Sequence, residues 1–198
     1  MRASIIHAMP LQEIQHPAVD VDLRYATVDN FTGQRIYDHA AAFLHKDALD
    51  ALYRAAALAQ ALGWRLCVLD AYRPSAAQWR LWATVPDPRF VADPRVGSMH
   101  TRGVAVDLTL CDAQGLVLDM GTAFDEMTEQ SFHARTDISR QAQSNRLLLL
   151  GIMVAAGWEH HPCEWWHYNL PEPTRYPILS DRVEGTALMD LPPLAPVA

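Results

Sequence analysis

Apolar residues recur at helical spacing over 46–62, where Leu49, Leu52, Tyr53 and Ala56 share one face. The pattern predicts an amphipathic helix with Asp47 as its N-cap and Gly63 just past its end. Residues 64–69 read as a buried strand, which delivers Asp70-Ala71-Tyr72-Arg73 to a strand end, where a rigid scaffold often displays functional side chains. Ser75 with Gln78 three later predicts a capping box that opens a short helix through Trp82. Pro86, Pro88, Pro94 and Gly97 make 84–97 a loop. Residues 103–110 alternate and are rich in Val and Thr, and Asp112-Ala113-Gln114-Gly115 reads as a turn into 116–118, so a hairpin is predicted. A second long helix spans 139–156 and ends at Gly157, and a closing strand spans 165–170. From 171 onward Pro173, Pro177, Pro192, Pro193 and Pro196 predict a proline-rich tail that wraps the surface or is disordered.

This order of helix, strand, short helix, hairpin, helix and strand predicts an α+β fold, with helices packed on a mainly antiparallel sheet. The chain has 198 residues, half of them hydrophobic, and shows no internal repeat, so one domain over 1–198 with a single core is expected. A net charge of −7 and the lack of any basic run argue against a nucleic-acid or anionic-membrane partner. No apolar run approaches the ~20 residues of a membrane span. The first ten residues lack the apolar core and small-residue cleavage site of a secretory signal. Cys67, Cys111 and Cys163 are odd in number and form no Cys-x-x-Cys clamp. A reducing, cytoplasmic setting is the expectation.

Chemistry concentrates in two short segments. The first is Ser98-Met99-His100-Thr101-Arg102-Gly103-Val104-Ala105-Val106-Asp107, and the second is Glu164-Trp165-Trp166-His167. Two imidazoles (His100, His167) and one carboxylate (Asp107) are a ligand set that suits Zn²⁺, and three protein ligands leave a fourth position open for water. The flanks of Asp107 are apolar, and a buried carboxylate needs a metal or an ion-pair partner. A reaction at such a site also needs a group to move the water's proton, and Glu164 is the candidate. Residues three apart on a strand face opposite sides, so Glu164 and His167 can share a site only if the strand is twisted, bulged or ends there.

The pattern Ser-x-His-x-x-Gly-x-Ala-x-Asp followed by Glu-x-Trp-His resembles that of the zinc-dependent D-alanyl-D-alanine dipeptidases, the VanX-like family. The resemblance runs over about 20–170 and includes the segment from Asp22 to Gly33, Asp70-Ala71-Tyr72-Arg73-Pro74, the segment from Met120 to Asp125, and that from Asn145 to Met153. It implies the same fold and one zinc per chain on His100, Asp107 and His167. It also implies Glu164 as general base and then general acid, and Arg73 as the stabiliser of charge on the scissile carbonyl oxygen. Tyr25 and Asp125 would receive the substrate's ammonium, and Ser98 would line the site. The chain departs from the pattern at Met99, where such enzymes can carry a second serine that helps hold the substrate carboxylate. A backbone group or Arg102 would have to replace it.

The implied activity is hydrolysis of D-alanyl-D-alanine, a small D,D-dipeptide, to free D-alanine. Two other readings stay open on the residues. One is a D,D- or L,D-carboxypeptidase that trims longer cell-wall peptides, and the other is a non-catalytic zinc-binding interaction domain. His7, His16, His39, His45 and His133 read as structural or merely exposed histidines. His160 and His161 sit closer to Glu164 and read as structural before they read as ligands. Cys163 as a fourth ligand would close the coordination shell, so it is set aside. Oligomeric state is not legible.

Overall fold

The computed structural model describes residues 10–189. In chain order the strands and helices are β1 (Leu11–Glu13), β2 (Val19–Val21), β3 (Phe43–His45), α1 (Lys46–Ala61), β4 (Arg65–Asp70), α2 (Ser75–Thr84), β5 (Ala105–Cys111), α3 (Arg140–Ala155), β6 (Glu159–His160), β7 (His167–Asn169) and α4 (Asp181–Glu184). A five-stranded sheet runs in the order β2-β4-β5-β7-β6, and β1 pairs with β3 in a small ribbon. Among the described residues only the β2–β4 pairing is parallel. The fold is α+β with a mainly antiparallel sheet, as the element order implies.

Alternation along the two central strands divides the sheet into two faces. Leu66 and Val68 on β4, and Val106, Leu108 and Leu110 on β5, join the main apolar core with Leu49, Leu52 and Ala56 of α1 and Leu149, Ile152 and Met153 of α3. Cys67, Leu69 and Cys111 form a smaller cluster with Phe124. Among the described residues no helix is long and apolar enough to cross a membrane.

Several local expectations give way to tertiary contacts. The N-cap of α1 is His45, whose Nδ1 accepts from the Asp47 amide at 3.2 Å; Asp47 already lies inside the first turn. Helix α2 has Pro74 at its N-cap and no side-chain cap, because Gln78 is drawn into the interior by Arg73 and the Ala92 carbonyl. The predicted hairpin after β5 shrinks to one bridge between Cys111 and Val117. The closing strand is only β7, with Trp165 and Trp166 in the turn before it. The short strands β1, β2, β3 and β6 escaped the sequence reading, since two or three residues carry too little periodicity to register. Past 171 the chain packs on the body, with Asp181, Leu188 and Met189 buried. The final prolines of the predicted tail, and His7, lie outside the described residues.

Gly103 is the backbone pivot that feeds β5. It sits at φ +69°, and a Cβ there would lie 2.7 Å from Leu11 Cδ2 and 3.1 Å from the His45 backbone nitrogen. Left-handed backbone costs an L-residue roughly 1–2 kcal/mol before any clash. Gly103→Ala is therefore expected to lower stability by about 2 kcal/mol, or roughly 4–8 °C in Tm for a domain of this size. Calorimetry checks it, and an unchanged Tm would show that the turn relaxes freely.

Candidate active site

The site forms at one level across three adjacent strands. β5 pairs with β7 so that Asp107 faces His167, and with β4 so that Asp107 faces Asp70. The second match requires a register shift between Val68 and Asp70. Without that extra residue Asp70 would follow Val68 onto the helix-packed face, so the bulge re-aims a carboxylate into the site. His100 arrives from the turn before β5. There the Ser98 hydroxyl accepts from the His100 amide at 3.1 Å, and Thr101 Oγ1 both accepts from the Ser98 amide and donates to its carbonyl. The run Ser98 to Gly103 is thus a self-bonded knuckle that aims one imidazole.

His100, Asp107 and His167 are buried, and their ligand atoms lie within 4.8 Å of one another. His100 Nε2 is 3.3 Å from Asp107 Oδ2 and 3.2 Å from His167 Nδ1, which is 3.0 Å from Asp107 Oδ1. His100 Nδ1 lies 2.7 Å from the Ala71 carbonyl. A carbonyl can only accept, so Nδ1 carries the proton and Nε2 keeps its lone pair for a metal. Burial alone would raise the Asp107 carboxyl, but the two imidazoles hold it far below the usual carboxylate range. Burial keeps His167 below its ordinary value against the pull of Asp107. These three side chains could hold a metal ion.

Glu164 lies in the turn ahead of β7, with Oε2 3.9 Å from His167 Nδ1. The strand begins only at His167, which meets the geometric requirement that the three-residue spacing imposes. Burial, then the charges of Asp107 and Asp125, push the Glu164 carboxyl well above its ordinary range.

Arg73 is buried and fully engaged. Its Nε donates to Asp70 Oδ2 at 2.9 Å, its second guanidinium nitrogen is 2.7 Å from the same oxygen and 3.5 Å from Asp107 Oδ2, and Nη1 donates to Gln78 at 3.0 Å. Burial works against the charge, but Asp70 foremost holds the guanidinium protonated. Tyr37 donates to the other oxygen of Asp70 at 2.7 Å. The Tyr25 ring lies 5.2 Å from the guanidinium carbon, and its hydroxyl donates to Asp125 Oδ2 at 2.8 Å. Asp125 has φ +60°, and burial with the nearby Asp107 pushes its carboxyl up to about 8.

One cavity of about 130 Å³ brings together Tyr25, Arg73, Ser98, His100, Asp107, Asp125, Glu164 and His167. Every residue singled out from the sequence for the site therefore lines the same space. Met99 and His161 line it too, while Arg102 instead donates to the Tyr176 carbonyl. Arg102 is thereby tied to the C-terminal segment and is not part of the cavity lining.

Sequence reasoning passed over the supports. Asp70, Tyr37 and Gln78 position Arg73, and the only trace of this in the sequence is the three-residue spacing from Asp70 to Arg73. The loop carrying Asp125 is held by α3: Arg146 donates to the carbonyls of Met120, Gln130 and Phe132, and Asn145 to that of Asp119. On the other side Trp165 Nε1 donates to Thr122 at 2.8 Å.

Two imidazoles and a carboxylate in a buried cleft could hold a metal ion, with a further carboxylate and a guanidinium beside them, the composition of a metal-dependent hydrolytic site. Comparison with known proteins gives the family. A model described as D-ala-D-ala dipeptidase, of peptidase family M15, matches residues 6–184. The chain is 48% identical over 166 residues to the D-alanyl-D-alanine dipeptidase of Escherichia coli K12, covering 84% of this chain and 86% of that protein. It is 35% identical over 190 residues to the Enterococcus faecium enzyme of the same name, covering 84% and 94%. A Streptomyces coelicolor relative with that name is 37% identical over 172 residues, covering 76% and 85%. The chain belongs to the D-Ala-D-Ala dipeptidase family of M15 peptidases.

Deleting one partner of a buried ion pair costs roughly 3–5 kcal/mol, because it leaves the other charge uncompensated. Asp70→Ala should lower the unfolding free energy by about that much, whereas Tyr37→Phe, which removes one hydrogen bond, should cost about 1–3 kcal/mol. Urea denaturation of both variants measures the difference. Equal, small losses would mean that Asp107 alone balances Arg73.

Proposed function

We propose that this chain hydrolyses D-alanyl-D-alanine and closely related short D,D-dipeptides, with one zinc per chain on His100, Asp107 and His167. The observation that carries the reading is the pairing of a buried His-Asp-His donor set with a carboxylate for an ammonium in one small cavity. Ligands ~2.0–2.1 Å from a tetrahedral ion are about 3.3–3.4 Å apart. The 3.2 Å between His100 Nε2 and His167 Nδ1 comes close to such an edge, and Asp107 turns one oxygen to each imidazole, Oδ2 at 3.3 Å from His100 and Oδ1 at 3.0 Å from His167. Nitrogen and carboxylate donors at three positions, with room for a fourth, are the composition of a catalytic zinc site.

Zinc held by these three side chains would supply Lewis acidity to a scissile carbonyl and to an attacking water. Glu164 takes the proton from that water and later gives it to the leaving amine. Arg73 offsets negative charge as it grows on the carbonyl oxygen, and its anchoring by Asp70 and Gln78 removes the need to reorganise at that moment. Asp125, oriented by the Tyr25 hydroxyl, pairs with the substrate's free ammonium. A carboxyl raised to about 8 is short of a cation, and an ammonium is the cation a dipeptide brings.

The size of the cavity supports a short substrate. At about 130 Å³ it is well below the ~300–1,000 Å³ of ordinary ligand pockets, and a peptide extended beyond the ammonium would have to pass Asp125. The three free cysteines accord with a reducing, cytoplasmic setting.

Purified protein should hold about one zinc per chain, and His100→Ala, Asp107→Ala or His167→Ala should lose most of it, as read by elemental analysis. Glu164→Gln should keep the zinc and lose turnover by at least ~10²-fold. A metal-free Glu164→Gln variant would make Glu164 a ligand and overturn the division of roles.

Acetylating the substrate amine should abolish cleavage by the wild type. Asp125→Asn should slow cleavage of the free dipeptide and narrow the gap between free and acetylated substrates, since each change removes the same ion pair. Steady-state kcat/KM for the four combinations tests this. Efficient wild-type cleavage of acetyl-D-Ala-D-Ala would make the chain a carboxypeptidase acting on longer cell-wall peptides.

A further inference from the structure

A neutral imidazole that gives one nitrogen's lone pair to a metal carries its proton on the other nitrogen, and proteins hold that N–H with a second partner. His100 obeys this rule through its bond to the Ala71 carbonyl. His167 turns Nδ1 toward Asp107 and His100, and its Nε2 is buried with no hydrogen-bond partner. Besides His100, the ring packed against it is His161, with centroids 5.7 Å apart and planes at 78°. His161 Nδ1 is likewise buried and without a partner. One buried nitrogen needs an acceptor, and the neighbouring buried nitrogen can be one.

The backbone ties the two residues together, because the His161 amide donates to the His167 carbonyl at 3.1 Å. His161 is not among the three residues whose ligand atoms converge, so it does not compete for the metal. Its neighbour His160 packs instead on His133, 5.0 Å away. We infer that His161 is a positioning residue for His167: a small turn of the two packed rings lets His161 Nδ1 accept the Nε2–H of His167, a bond not formed in this structure, and so fixes the tautomer that presents His167 Nδ1 to the metal. The inference rests on the reading of His167 as a metal ligand. It also fixes the proton of His161 itself on Nε2.

The test compares zinc affinity of the full chain, measured by competition with a fluorescent chelator, in His161→Phe and His161→Asn. Phe keeps the ring and removes the acceptor, while Asn places a carbonyl oxygen near the position of Nδ1. His161→Phe should bind zinc about 10–100-fold more weakly, and His161→Asn should recover most of that loss. The thermal midpoint of the metal-free Phe variant should match the metal-free wild type. Zinc affinity within about twofold of wild type in His161→Phe, or no recovery in His161→Asn, overturns the inference. Should His161→Phe not fold, ¹⁵N imidazole NMR of the zinc-loaded wild type reads the tautomers directly, and a proton on His161 Nδ1 overturns it. A wild type that binds no zinc, or a His167→Ala variant that binds it as tightly as wild type, defeats the metal reading itself. Unchanged affinity in His161→Phe alone defeats only the role of His161.

Discussion

Two buried carboxylates, Asp70 and Asp107, stand opposite each other on adjacent antiparallel strands, with one guanidinium shared between them. Like charges directly opposed across a strand pair repel, and neither can shed its charge into water at this depth. Arg73 balances one of them, so one negative charge remains uncompensated by arginine. Burial first, and then that surplus, push the carboxyls of Glu164 and Asp125 upward. A site with this electrostatic character favours cations. The proposed function supplies two, a metal at the histidines and an ammonium at Asp125.

Rigidity around that charge comes from ordinary packing. The bulge in β4 aims Asp70, the knuckle before β5 aims His100, and β7 carries His167 beside Asp107. Asp125 sits on a loop rather than on the sheet, and the loop is held by the buried guanidinium of Arg146 and the indole of Trp165. Arg146 is among the largest fully buried side chains, and its donors go to three backbone carbonyls and the Thr122 hydroxyl of this one loop. The Asp125 carboxylate is thereby placed in the cavity by a helix that grips its loop.

The long elements and the residues that gather in the cavity were legible in the sequence because each depends on local signals. Helices over 46–62 and 139–156 follow from periodicity and end residues, and the strand at 64–69 from its apolar run; the structure places all three within two residues of those bounds. His100, Asp107, Glu164 and His167 were legible because metal chemistry restricts residue types and because their motifs match a family. The capping box at Ser75 failed for the opposite reason. Its pattern is local, but Gln78 has stronger partners in Arg73 and the Ala92 carbonyl, which no local window contains.

The sequence by itself therefore determined the fold class, the long elements, the donor set and the family. Tertiary structure alone decided that Asp70 faces Asp107, that Arg102 is tied to Tyr176 and away from the cavity, and that His161 packs on His167. Each of these depends on strand register or on contacts between residues far apart in the chain. A one-residue bulge reverses the face to which a side chain points, and no pattern of hydrophobic and polar residues around Val68 to Asp70 records that reversal.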